Sequence, residues 1–207
     1  MALRLLPFRQ YNEHDVVNMF ALNSASVLES TTGDGAGSNG VFVKVTNGNL
    51  NQDTISYGSD SYLGNTNYPF VGGAMYPTNP LEVSPAASGT IPLGLTLNQT
   101  AKTDENGEKL LYNTVKKEEL QAILPGQSVP VVTRGIFTLS KNAIQAGAVA
   151  GFTIGGGFEL AGNGTIGPIA ASAASSLGTI LGTGSRVSQG GLTDQFAGDY
   201  VVVKLGK

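Results

Sequence analysis

At 207 residues and 21.3 kDa the chain is long enough for one large domain or two small ones, with a core of its own. Gly contributes 29 residues and charged residues only 13%, against a usual share of ~25% for charge, so many turns and few ion pairs are expected. A net charge of -3 argues against a broad electrostatic grip on nucleic acid or anionic membrane, the absence of Cys excludes disulfides and thiolate chemistry, and a single His excludes His-rich metal sites.

The N-terminal residues 1–8 (MALRLLPF) are too short an apolar stretch for a signal peptide, and no apolar run approaches a membrane span. Synthesis in a cytoplasm without export by that route is the expectation. Polar Asn12, Glu13, His14 and Asp15 precede Val16, Val17, Met19 and Phe20, a capped apolar spacing that predicts one short helix. Residues 31–40 (TTGDGAGSNG) read as a loop, so the N-terminal stretch is expected to be an extended arm. Residues 41–46 (VFVKVT) read as a strand closed by the hairpin dipeptide Asn47-Gly48, with a return strand near 50–57. The Gly- and Asn-rich segment after it carries Tyr57, Tyr62, Tyr68 and Phe70 as anchors of a loop-rich shoulder.

Beyond Tyr76 the spacing becomes regular. A strand near Leu81 and Val83 leads to a turn at Ser88-Gly89, and 91–97 (IPLGLTL) reads as an edge or bulged strand because Pro92 and Gly94 interrupt it. A turn is centred on Asn106-Gly107, and 114–124 (TVKKEELQAIL) is the best helix, stopped by Pro125-Gly126. Strands follow at 128–132 (SVPVV) and 135–139 (GIFTL), then 152–154 and 158–160 flank a Gly155-Gly156-Gly157 turn. Strands at 177–181 and 199–205 close the chain. Short strands with turns every 8–12 residues predict an all-β protein, a small β-barrel or sandwich with one or two short helices.

Motifs that carry chemistry are few. Gly162, Gly164 and Gly167 match G-x-G-x-x-G, but no βαβ unit surrounds them and Pro168 follows, which argues against a dinucleotide site. His14, Asp15 and Ser24 lack the G-x-S-x-G context of a hydrolase triad. Glu118 and Glu119 are adjacent on a helix and point apart, so they do not form a two-carboxylate site. Asp34, Asp53 and Asp60 lack the spacing of a Ca²⁺ loop. No catalytic residue, metal ligand or cofactor is expected. The profile is that of a binding or structural module.

The stretch 79–205 resembles the capsid decoration, or head-stabilising, proteins of tailed bacteriophages. The residues that carry the resemblance are Pro80-Leu81, the run IPLGLTL at 91–97, LPGQSVPVVTRGIFTL at 124–139, LGTIL at 177–181 and AGDYVVVKL at 197–205. The opening run RLLPFRQY at 4–11 looks like the start of marine phage virion proteins. The resemblance implies a β-barrel decoration domain at 76–207, preceded at 1–75 by an N-terminal arm and a loop-rich β subdomain. It also implies a virion location on the capsid exterior, no catalysis, the major capsid protein as partner, no nucleic acid or membrane partner, and a possible homotrimer. On that reading the capsid contacts are Leu3, Leu5, Leu6, Phe8, Val16, Val17 and Phe20 of the arm, with Tyr57, Tyr62 and Tyr68 behind them, since aromatic side chains are enriched at interface cores. Removal of residues 1–22 would then abolish capsid binding and leave the barrel folded. A receptor- or glycan-binding module of a phage fibre or tail is the alternative.

Overall fold

A computed structural model of the chain describes residues 3–22, 39–48, 81–101, 104, 106–108, 110, 112–124, 126–145, 149–169, 176–188 and 196–206. The protein is all-β, and its sheets remain open rather than closing into a barrel. In the first sheet, β1 (Leu5–Gln10), β10 (Gly135–Ser140), β14 (Gly198–Leu205) and β13 (Gly178–Arg186) lie in that order, all antiparallel. The second sheet has six strands, ordered β2 (Val16–Val17), β9 (Val131–Val132), β6 (Gly94–Thr96), β4 (Phe42–Asn47), β5 (Glu82–Pro85) and β3 (Ala21–Leu22). Its pairs are antiparallel except β3 with β5. Two small pairs complete the strands: β7 (Gln99–Thr100) lies parallel to β8 (Ala122–Ile123), and β11 (Phe158–Leu160) forms a hairpin with β12 (Ile166–Pro168).

Alternation in β10 and β14 sends Phe137, Leu139, Val201, Val203 and Leu205 to one face. There they meet Phe42, Leu95 and Val132 from the second sheet, and Phe158, Leu160 and Ile166 from the hairpin, in one buried cluster. Tyr11 stacks on Phe137 at 6.0 Å, and Phe42 meets Phe158 at 6.2 Å. The second sheet is apolar on both faces. Val41, Val43, Val83 and Val131 turn to the opposite side and build a second cluster with Leu22 and Val129. This is why 41–43 and 129–132 are rich in consecutive apolar residues rather than cleanly alternating.

Several expectations are corrected here. The N-terminal residues are not a free arm: Leu5 pairs with Leu139 and Gln10 with Ile136 inside the first sheet. The helix predicted after Asn12 is a single 3₁₀ turn, Glu13–Asp15, capped by the Asn12 side chain, which accepts from the His14 N–H. The β-branched pair Val16-Val17 then extends along β9 instead of continuing a helix. The segment 91–97 is not an edge, because β6 lies between β9 and β4. Gly94 is there because a Cβ would collide with the Val132 carbonyl oxygen of the neighbouring strand. A boundary at 75/76 does not separate the sheets, since each contains strands from both sides of it.

The helix α1 (Thr114–Glu119) stops short of the predicted Leu124. Leu120 caps it, Gln121 takes a left-handed φ of 49°, and Ala122-Ile123 leave as β8. The Gly155-Gly156-Gly157 turn does not join two paired strands; β11 pairs with β12, and 155–156 bond to β13. The return strand expected at 50–57 and the aromatic shoulder, with Tyr57, Tyr62 and Tyr68, lie outside the described residues.

Candidate interaction surface

The clearest candidate surface follows β1, at one edge of the first sheet. Its start is fixed by side chains from distant parts of the chain. The Asn39 carboxamide oxygen accepts from the backbone N–H of Arg4 (3.3 Å) and Leu5 (3.2 Å). The Ser140 hydroxyl and the Asn142 amide both donate to the Leu3 carbonyl, at 2.6 and 3.3 Å, and Ser140 N–H donates to the Arg4 carbonyl. Arg4 is fully buried beneath this strand, with Nη1 donating to the Asn163 carbonyl at 3.4 Å.

Beside β1 runs a groove of about 480 Å³. One wall is Leu3, Leu5, Leu6, Pro7 and Arg9; the other is Leu97, Asn98, Gln99 and the end of α1, Glu119 to Gln121, with Asn39 and Phe196 at the ends. The second wall is rigid for a definable reason. The last carbonyls of a helix have no partner within it, and here the Gln99 amide donates to Leu120 O at 2.7 Å while the Asn98 amide donates to Gln121 O at 3.0 Å. Both amides are thereby committed to holding the segment after α1 against 98–99, and Asn98 and Gln99 line the groove with Leu97 and Leu120. The charges at the rim are Arg9 on one side and Glu119, paired with Lys116 at 3.5 Å, on the other.

The residues expected to contact a partner do not share one fate. Leu3, Leu5 and Leu6 are brought together along the groove, but Leu5 and Leu6 are 3% and 4% exposed and belong mainly to the interior. Phe8 is 64% exposed and is not among the residues that line the groove. Val16 and Val17 are half-buried on the outer strand of the second sheet, and Phe20 packs on the second core cluster. Val16 itself packs against the main cluster. Sequence reasoning missed the opposite wall, Asn98, Gln99, Leu120 and Gln121. No local pattern marks it, because it is assembled by a parallel β7–β8 contact between segments some twenty residues apart.

The motifs set aside earlier have structural explanations. Of the G-x-G-x-x-G glycines, Gly162 and Gly164 lie in the β11–β12 turn, where Asn163 and Gly164 take φ of 52° and 68° and Thr165 N–H donates to Gly162 O, and Gly167 lies in β12 opposite Glu159. His14 is exposed and its backbone N–H serves the Asn12 cap, while Asp15 offers its backbone carbonyl to Thr133. Among the described residues no three His, Asp or Glu side chains gather closely enough to hold a metal ion. No protein-family model matches the chain, and no curated protein or solved structure matches it either.

Proposed function

We propose that the chain is a non-catalytic structural protein of a phage virion that docks on the outer surface of the capsid and cements neighbouring subunits of the major capsid protein. The observation that carries this reading is strand β1, which presents an exposed Phe8 and whose residues Leu5, Leu6, Pro7 and Arg9 line a groove with Leu3, Leu97 and Leu120. The family resemblance of 79–205 supports it from the sequence side. A large exposed aromatic on a strand that lines a rigid depression is what an interface anchor requires, since few side chains carry most of the affinity and aromatics lead among them. The walls are pre-ordered by the Asn39, Asn98 and Gln99 hydrogen bonds, so little conformational entropy is lost on docking.

The test is co-sedimentation with expanded, undecorated phage heads and with unexpanded precursors, using the native chain, Phe8→Ser and Arg9→Glu. Saturable binding to expanded heads, weakened at least tenfold by Phe8→Ser with an unchanged melting curve, is the expected result. Absence of binding to every head form overturns the proposal. A glycan- or receptor-binding module is the second reading, favoured by the polar side chains of Arg9, Glu119 and Gln121 among the residues that line the groove. Specific signal on a glycan array, lost on substitution at the groove, would move it to first place.

A further inference from the structure

The first sheet has two outer strands, and they are built differently. On β1, Pro7 removes a backbone donor, the ladder slips between Leu5 and Arg9, and the exposed Arg9 adds charge. Each device discourages a further strand from adding. On β13 the first half is already occupied. Gly155 N–H donates to Ile180 O at 2.8 Å and Ile180 N–H donates to Gly156 O at 2.9 Å. The second half has no Pro, runs Gly182, Thr183, Gly184, Ser185, Arg186, and carries its one charge, Arg186, at its end.

The ladder says which groups this second half presents. Ile180 turns its N–H and C=O away from β14, and antiparallel pairing alternates such positions. After the slip between Ile180 and Gly182, Thr183 stands opposite Val201 and Ser185 opposite Asp199, the next two outward-turned positions. Both residues are exposed, and among the described residues nothing outside β14 bonds to 181–187. A Cβ built on Gly182 would meet no atom within 4 Å. The edge therefore offers two complete N–H and C=O pairs, two residues apart, that no described residue outside β14 bonds.

We infer that this edge pairs antiparallel with the same edge of a second copy, with Gly184 on the two-fold axis. In that register Thr183 of each copy faces Ser185 of the other, which makes four backbone hydrogen bonds. Gly184 faces Gly184 at the non-hydrogen-bonded site, where antiparallel strands approach to ~4.5 Å between Cα atoms. Arg186 comes level with Gly182 of the second copy, so no like charges meet. Leu181 and Val187, 43% and 83% exposed, come level with each other at the two ends, where paired apolar side chains lose water together. A foreign strand would have to supply these features by chance; a second copy supplies them by symmetry. The contact is isologous and closes at two copies, joining two four-stranded sheets into one of eight. It is independent of what docks at β1.

Sedimentation velocity over a range of concentrations, combined with amide exchange, tests this. The native chain is expected to move from 21.3 kDa towards twice that mass as concentration rises, with the Thr183 and Ser185 amides becoming protected in parallel. Ser185→Pro deletes an outward N–H without touching a β14 bond, and Thr183→Lys adds an edge charge at an exposed site. Each is expected to raise the dimer dissociation constant at least tenfold, with circular dichroism confirming a native fold. A chain that stays monomeric with fast exchange at both amides overturns the inference. So does a dimer that survives Thr183→Lys and Ser185→Pro unchanged. Head binding by Phe8 variants is scored separately, so either result stands without the other.

Discussion

Gly164 and Gln121 share a left-handed backbone but differ in what that conformation costs. Gly164, at φ 68°, lets the β11–β12 turn approach β4: Phe42 N–H donates to its carbonyl, and its own N–H donates to Ala86 O. A Cβ there would collide with Val41 and crowd the Phe42 carbonyl. Gly164→Ala is therefore expected to cost about 2 kcal/mol or more, conformational strain and collision adding, read as a lower urea midpoint. Gln121 accepts a φ of 49° with a side chain that prefers otherwise, because it ends α1 where Gly would be the usual choice. Gln121→Gly is expected to stabilise by up to ~1 kcal/mol, the relief of strain exceeding the added freedom of the unfolded chain. A rise in denaturation midpoint at unchanged slope would establish it.

At the scale of elements, β1 separates stability from recognition within four residues. Leu5 lies in the main cluster at 3% exposure and Phe8 lies outside it. Leu5→Ala is expected to cost about 2–5 kcal/mol, whereas Phe8→Ala is expected to change stability by less than ~0.5 kcal/mol; equilibrium unfolding of the pair distinguishes a strand built into the sheet from a detachable arm. This element also shows what the sequence could and could not convey. The strand at 135–139, the last strand and the turn at Asn106-Gly107 were legible because alternation and turn chemistry are local. The run LLPFRQ was not read as a strand, since Pro7 and four consecutive exposed residues break the alternation. Its place is fixed by Leu139 and Asn39, far along the chain. Likewise Pro92 and Gly94 point in the sequence to an edge or a bulge, and the backbone approach of β9 that requires a glycine at 94 is visible only once the strands are paired. Leu3, Leu5 and Leu6, expected from the sequence as capsid contacts, line the groove, and its α1–β7 side has no local sequence signal.

For the whole molecule, the decisive fact is that strands from the first 22 residues lie in both large sheets. Removing 1–22 deletes β1, β2 and β3, and uncovers Phe137 and Leu139 on one side and Val131 and Val83 on the other. The truncation expected from the sequence to leave a folded barrel is instead expected to lose cooperative unfolding, seen as the disappearance of a sharp thermal transition. A truncation that melted as sharply as the full chain would overturn this. Any test of capsid binding by deletion of that stretch would confuse unfolding with loss of contact, which is why single exposed positions such as Phe8 are the better probes.

The interleaving of early and late strands also sets a clock on biogenesis. β10 and β14 occupy the middle of the first sheet, and β1 has no strand beside it until β10 has been made. At a ribosomal rate of ~5–20 residues per second, that leaves the β1 segment waiting on the order of ten seconds. During that wait the Leu-rich β1 segment is a ready client for chaperones. Native assembly of this sheet therefore has a slow approach set by long-range strand closure.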